Sequence, residues 1–120
     1  MSKKILVVDD SRTDLEMITN ALESKGYYVI RATNGEEALM QVTTQHPDLI
    51  VLDVVMPGKD GFQTCRQLKM DENTKDIKII LLTSKDGKTD EYWGRKQGAD
   101  DYITKPFEPN KLIQRISLLI

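Results

Sequence analysis

The chain has 120 residues, enough for one domain with a real core, and its 39% hydrophobic and 30% charged content is ordinary for a globular protein. A formal net charge of −2 offers no bulk attraction to nucleic acid or to an anionic membrane surface. Apolar runs are strand-length, far below the roughly 20 residues of a membrane helix, and the lone Cys65 excludes an internal disulfide and fits a reducing cytoplasm.

Lys3 and Lys4 precede only four apolar residues before two aspartates, which is no signal peptide. Residues 4–9 read as a first strand, Ile5-Leu6-Val7-Val8 ending in Asp9-Asp10. Ser11 or Asp10 caps a helix to about Lys25, with Leu15, Ile18, Ala21 and Leu22 on one face and Gly26 as a left-handed stop. Residues 27–32 form a second strand. Asn34 or Thr33 opens a helix with apolar face Ala38, Leu39 and Val42, ending before Pro47, where His46 reads as a surface or capping residue. Residues 48–53 are a third strand, Leu49-Ile50-Val51-Leu52, closed by Asp53. After the Met56-Pro57-Gly58 loop, Asp60 or Gly61 starts a helix carrying Phe62, Cys65 and Leu68 to about Met70; Cys65 reads as a small apolar filler. A polar stretch leads into the strand 77–82, followed by Thr83-Ser84. Residues 89–97 form a weaker helix closed by Gly98, then a short strand 102–104 ends in Lys105-Pro106. The last helix spans 108–120, with Leu112, Ile113, Ile116 and Leu119 inward.

Five strand–helix units with apolar strands predict an α/β fold. Its expected form is a doubly wound, five-stranded parallel sheet of order 2-1-3-4-5, flavodoxin-like, with five helices, spanning 1–120 as one domain. A closed eight-unit barrel needs about twice this length.

In that order the first and third strands are neighbours, so Asp9, Asp10 and Asp53 converge at the carboxyl edge where α/β folds bind ligands. Three close carboxylates repel one another unless a counter-charge is present. Magnesium, which takes oxygen ligands and keeps waters, suits them; with one His and one Cys there is no zinc set. Lys105 arrives at the same edge as the complementary cation, and the Thr83 hydroxyl and Ser84 N–H are donors for phosphoryl oxygens. This is a set for phosphoryl transfer onto a carboxylate nucleophile. Helix capping explains Asp9 or Asp10 singly, but not the whole group.

The ordered residues Val8-Asp9-Asp10, Leu52-Asp53, Met56-Pro57-Gly58, Asp60-Gly61, Leu82-Thr83-Ser84, Gly98-Ala99 and Lys105-Pro106 closely resemble the receiver domains of two-component response regulators, across essentially the whole chain. The resemblance implies that Asp53 is the phosphoacceptor and that Asp9 and Asp10 place Mg2+. It makes Val55 the residue whose backbone carbonyl ligates the metal, Thr83 the switch hydroxyl and Lys105 the phosphate-contacting lysine. Tyr102 is then the aromatic that changes rotamer, and Lys105-Pro106 a cis bond. It further implies a stand-alone, CheY-like chemotaxis-type receiver in the cytoplasm, phosphorylated by a sensor histidine kinase. Such a receiver signals to a protein target through the face of the fourth helix, fifth strand and fifth helix, without direct nucleic-acid binding or membrane insertion. It is a monomer or a weak phosphorylation-dependent dimer, and catalyses only its own phosphorylation and dephosphorylation. Trp93, Tyr102 and Arg95 lie on that face; Trp93 reads equally as partial packing or as a partner anchor, and Arg95-Lys96 as a solvated pair. The segment from Trp93 to Pro106 is similar to receivers of the type IV pilus chemosensory system. Two features depart from the family pattern: Ser84, where alanine is frequent, is small enough to leave phosphate access, and the charges of Lys85 and Asp86 beside the pocket bear on dephosphorylation.

Three other functions fit less well. A haloacid dehalogenase-type phosphatase wants a second acid two residues after the nucleophile, where Val55 stands. A flavodoxin-like cofactor binder wants a phosphate-cradling, Ser/Thr/Gly-rich first loop, where Asp9-Asp10-Ser11 repels a phosphate unless a metal is present. A degenerate receiver that binds partners without phosphorylation has no need of the complete acid, threonine and lysine set.

Overall fold

The structure is a computed structural model that describes residues 2–120. Strands β1 (Lys4–Val8), β2 (Tyr28–Ala32), β3 (Leu49–Leu52), β4 (Lys78–Thr83) and β5 (Asp101–Thr104) alternate with helices α1 (Arg12–Glu23), α2 (Gly35–Gln45), α3 (Gly61–Met70), α4 (Lys88–Lys96) and α5 (Pro109–Leu119). All strand pairs are parallel, in the expected order β2-β1-β3-β4-β5.

The strands are apolar on both sides because helices cover both faces. Alternate residues divide cleanly. Leu6, Val8, Ile50, Leu52, Ile79 and Leu81 point to one face, where Ala38, Val42, Cys65 and Leu68 of α2 and α3 meet them. Ile5, Val7, Leu49, Val51, Ile80 and Leu82 point to the other, against Leu15, Ile18 and Leu22 of α1 and Leu112 and Ile116 of α5. Each fully buried Leu or Ile contributes on the order of 1.5–3 kcal/mol, and these two layers hold the sheet edges rigid. Ile113 and Leu119 of α5 are only half-buried, since they flank the stripe that Leu112 and Ile116 centre.

Local signals set the helix starts. Ser11, Asn34 and Asp60 cap α1, α2 and α3 with side-chain oxygens, and Asp60 and Gln63 complete a reciprocal capping box. His46 caps the end of α2 in the left-handed region (φ 51), and Gly26 and Gly98 are left-handed as expected. Helix α4 begins one residue before the sequence pattern, at Lys88, with the Gly87 N–H donating to the Asp90 carboxylate at 3.3 Å. Thr83 is the last residue of β4 and not the first of the loop. It pairs with Thr104, and a β-branched residue suits the pleated edge.

Two glycines set close approaches. A Cβ at Gly94 would lie 2.9 Å from a Leu81 methyl and 3.0 Å from the Tyr102 ring, so the glycine lets α4 rest on β4 and β5. Gly94 is also the single buried residue of α4, which makes that helix the most lightly attached. A Cβ at Gly61 would collide with the Asp53 carbonyl oxygen and lie 2.7 Å from Val54 Cα, while the Gly61 N–H donates to Val54 O at 3.0 Å.

Because that clash is with backbone, Gly61→Ala is expected to lower unfolding stability by roughly 2–3 kcal/mol; an unchanged urea midpoint would contradict the packing described. Burial pushes the Cys65 thiol from its ordinary value near 9.0 up to about 12. The unfolded chain then loses this proton first, and the thiol's contribution to stability declines as pH rises from 9.0 to about 12. Cys65 is expected to resist iodoacetamide in the native protein at mildly alkaline pH and to react once unfolded, as read by mass spectrometry.

Candidate functional site

The β1–β3 register pairs Val8 with Leu52, so the next residues, Asp9 and Asp53, leave the sheet side by side. The Asp53 N–H donates to Val8 O at 3.0 Å, extending the ladder to the acid itself. Asp9 and Asp53 are buried and Asp10 is exposed, and one carboxylate oxygen of each lies within 4.8 Å of the others. Oxygen donors, negative charge and an open side at Asp10 fit a hard divalent cation such as Mg2+, which asks for few protein ligands.

Lys105, one residue past β5, crosses the edge to these acids. Its Nζ donates to Asp9 Oδ2 at 2.7 Å, Asp14 Oδ2 at 2.8 Å and Asp53 Oδ2 at 3.0 Å. Burial alone would push the ammonium down, but the hydrogen bonds to Asp14, Asp9 and Asp53 outweigh it and hold Lys105 above the ordinary lysine value. Burial raises Asp9 above the usual carboxylate range, opposed by hydrogen bonds from Lys105 and the Ser11 N–H. The other oxygens are engaged by the following turns: Ser11 N–H donates to Asp9 Oδ1 at 2.9 Å and Val55 N–H to Asp53 Oδ1 at 3.1 Å. Val55 itself is exposed. The Lys105-Pro106 bond is cis.

Thr83 is fully buried at the neighbouring strand end. Its Oγ1 accepts from the Lys85 N–H at 3.3 Å, and the Lys85 carbonyl accepts from the Tyr102 hydroxyl at 2.6 Å. One residue of the β4–α4 loop is thus held by both side chains that sequence reasoning paired as a switch. Tyr102 is buried, its ring under α4 at Gly94. In this structure the aromatic already occupies the inward position. Burial, and then the charges of Asp90 and Glu91, push its hydroxyl up to about 12, so it remains a donor.

Trp93 and Tyr92 project from α4 into solvent, 51% and 61% exposed, so packing does not account for Trp93. Arg95 is more than a solvated charge: it pairs with Glu91 at 3.2 Å and with Asp101 at 3.4 Å. Asp101 is buried at the start of β5 and also takes Arg115 of α5 at 2.8 Å, so one acid joins α4 and α5 across the strand. Lys96 lies 5.6 Å from the Tyr92 ring centre.

Sequence reasoning therefore placed Asp9, Asp10, Asp53, Thr83 and Lys105 at one edge, where they stand. It missed Asp14, which reads as an ordinary first-turn acid of α1, and the Asp101–Arg115 pair, which only tertiary packing creates. Among the described residues no helix is long and apolar enough to cross a membrane.

Residues 5–117 match the response regulator receiver domain family. Protein PilH of Pseudomonas aeruginosa is 42% identical over 117 residues, 98% of this chain and 97% of that one. The alkaline phosphatase synthesis transcriptional regulatory protein PhoP of Bacillus subtilis is 45% identical over the whole chain, which spans only 49% of PhoP. The solved structure of the chemotaxis protein CheY4 of Vibrio cholerae covers both chains completely at 31% identity and a TM-score of 0.94. Fold, edge residues and relatives agree, and the chain belongs to the response regulator receiver domains of two-component signalling.

Proposed function

We propose that this receiver takes a phosphoryl group from a sensor histidine kinase onto Asp53 and passes the change to a protein target through α4, β5 and α5. The observation that carries the reading is the Lys105 ammonium bound to Asp53 and Asp9 beside a three-carboxylate, all-oxygen pocket. Asp9, Asp10, Asp53 and the Val55 carbonyl would hold Mg2+, which supplies charge neutralisation for the phosphoryl oxygens when bound.

Asp53 Oδ2 is the nucleophile. It attacks phosphorus, the bond from phosphorus to the donor's leaving group breaks, and an acyl phosphate forms on the carboxylate. Lys105 gives up Asp53 Oδ2 and turns its ammonium to the new phosphoryl oxygens, as an electrostatic clamp. Thr83 exchanges the Lys85 N–H for the phosphoryl group, its hydroxyl now donating. That exchange frees one end of Lys85, whose other end is fixed by Tyr102. The loop and the start of α4 shift together, and the light attachment of α4 through Gly94 favours a second packing. Trp93, Tyr102 and Arg95 lie on the face that changes, and the protein works in the cytoplasm as a monomer or a weak phosphorylation-dependent dimer, without direct contact to nucleic acid or membrane. Its turnover is confined to its own phosphorylation and dephosphorylation, with Ser84 beside the pocket small enough to leave phosphate access. Likeness to PilH and to the chemotaxis protein CheY4 supports a chemosensory pathway, while PhoP, a transcriptional regulatory protein, is 45% identical over the whole chain.

Incubation with acetyl phosphate and Mg2+ is expected to add one phosphoryl group to the wild type and none to Asp53→Asn, read by intact mass. Absence of labelling in folded wild type, or equal labelling of the variant, sinks the reading. Thr83→Ala is expected to keep its labelling at Asp53 while losing most of the change in Trp93 emission that beryllofluoride produces in the wild type. A full emission change in Thr83→Ala would mean that the signal bypasses Lys85.

A further inference from the structure

Lys105 has three ammonium protons and three carboxylate partners, so every donor is committed. Two of the partners have a hydrogen bond on each carboxylate oxygen, which leaves each oxygen one further acceptor site. Asp9 receives Ser11 N–H on Oδ1 and Lys105 on Oδ2, and Asp53 receives Val55 N–H on Oδ1 and Lys105 on Oδ2. A cation at Asp9 and a phosphoryl group on Asp53 compete with Lys105 for the oxygens it now holds. The more firmly the ammonium is held elsewhere in the pocket, the less it competes.

Asp14 is the third partner, and it serves neither the metal nor the phosphoryl group. Its position follows from a capping pattern left half-completed. Ser11 and Asp14 have the spacing of a reciprocal box, and the Ser11 hydroxyl does accept the Asp14 N–H at 3.3 Å. The return bond, from the Ser11 N–H to the Asp14 carboxylate, is not made because Asp9 Oδ1 already takes that N–H at 2.9 Å. The Asp14 carboxylate is left to reach Lys105. The two side chains border one groove of about 390 Å³ together with Met17, Ser84, Pro106 and Phe107, which gives the ammonium room to draw back.

We infer that Asp14 is a positioning residue: it retains the Lys105 ammonium in the pocket while Asp9 and Asp53 exchange it for the cation and the phosphoryl group. The inference rests on the phosphoacceptor reading of Asp53. Without Asp14, Lys105 falls back on Asp9 and Asp53 and competes with the cation for their oxygens.

Mg2+ titration of the wild type, Asp14→Asn, Lys105→Met and the double variant by calorimetry tests this at roughly physiological salt, where distant charges are screened. With Lys105 present, Asp14→Asn is expected to weaken Mg2+ binding about tenfold, and with Lys105→Met by about threefold or less, the remainder being the coupling of the pair. Equal weakening in both backgrounds reduces Asp14 to one more negative charge and overturns the inference, as does no weakening where Lys105 is present. Wild type that is labelled at Asp53 but shows no such coupling sinks this inference alone. Wild type that acetyl phosphate does not label sinks the phosphoacceptor reading beneath it.

Discussion

A single ammonium, carried on the short fifth strand, neutralises part of the negative charge that the first and third strands deliver to the same edge. Lys105 reaches Asp9, Asp14 and Asp53 from 96, 91 and 52 residues away in sequence. Parallel pairing is what makes this meeting possible, since it brings all strand ends with their carbonyl termini to one side. The two buried acids, Asp9 and Asp53, repel each other, and a cation between them relieves the repulsion. The folded chain meets that demand only partly, with one positive charge among four aspartates. Such a site is satisfied enough to fold and keeps an excess of negative charge that fits a divalent ion.

The rigidity of this edge contrasts with the next one along the sheet. Asp53 is fixed by its own N–H in the β1–β3 ladder, by Val55 behind it and by the backbone of Gly61 pressed against it. Helix α4 has one buried residue and is linked to the edge through the two hydrogen bonds of Lys85. Each of these neutral bonds is worth about 0.5–1.5 kcal/mol net. A phosphoryl group's claim on Thr83 is of the same size or larger, because charge-assisted hydrogen bonds are roughly twice as strong. On the function proposed above, the chemistry belongs to the stiff part and the response to the loosely held one.

The sheet order, the strand-end acids and the lysine were legible because apolar runs of strand length break abruptly into charge, a pattern with few other causes. The end of β4 was read one residue short because Thr83 is polar, although its branched Cβ keeps it in the ladder. Asp14 was illegible for a physical reason. An acid in the first turn of a helix is favoured by the helix dipole alone, and nothing local discloses that Asp9 has taken the amide it would otherwise bond. The cluster of Asp101 with Arg95 and Arg115 was hidden for another reason, since its members lie on three elements whose adjacency is a product of the fold. The inward position of Tyr102 likewise depends on Gly94 leaving space, a relation between two residues that are distant in pattern.

The buried Asp101 has a consequence for recognition. Both arginines on the face of α4, β5 and α5 are engaged from within. A partner that approaches with its own carboxylates therefore meets guanidinium groups that are half-exposed but already oriented by the protein. Binding them adds a second anion to donors already fixed in direction, so the gain of each half-exposed pair is small and its geometric demand high. A face built this way turns away generic acidic surfaces and rewards a complement that matches both arginines at once. On the proposed function, such a face can be selective and still let go quickly, as a messenger that has to be released requires.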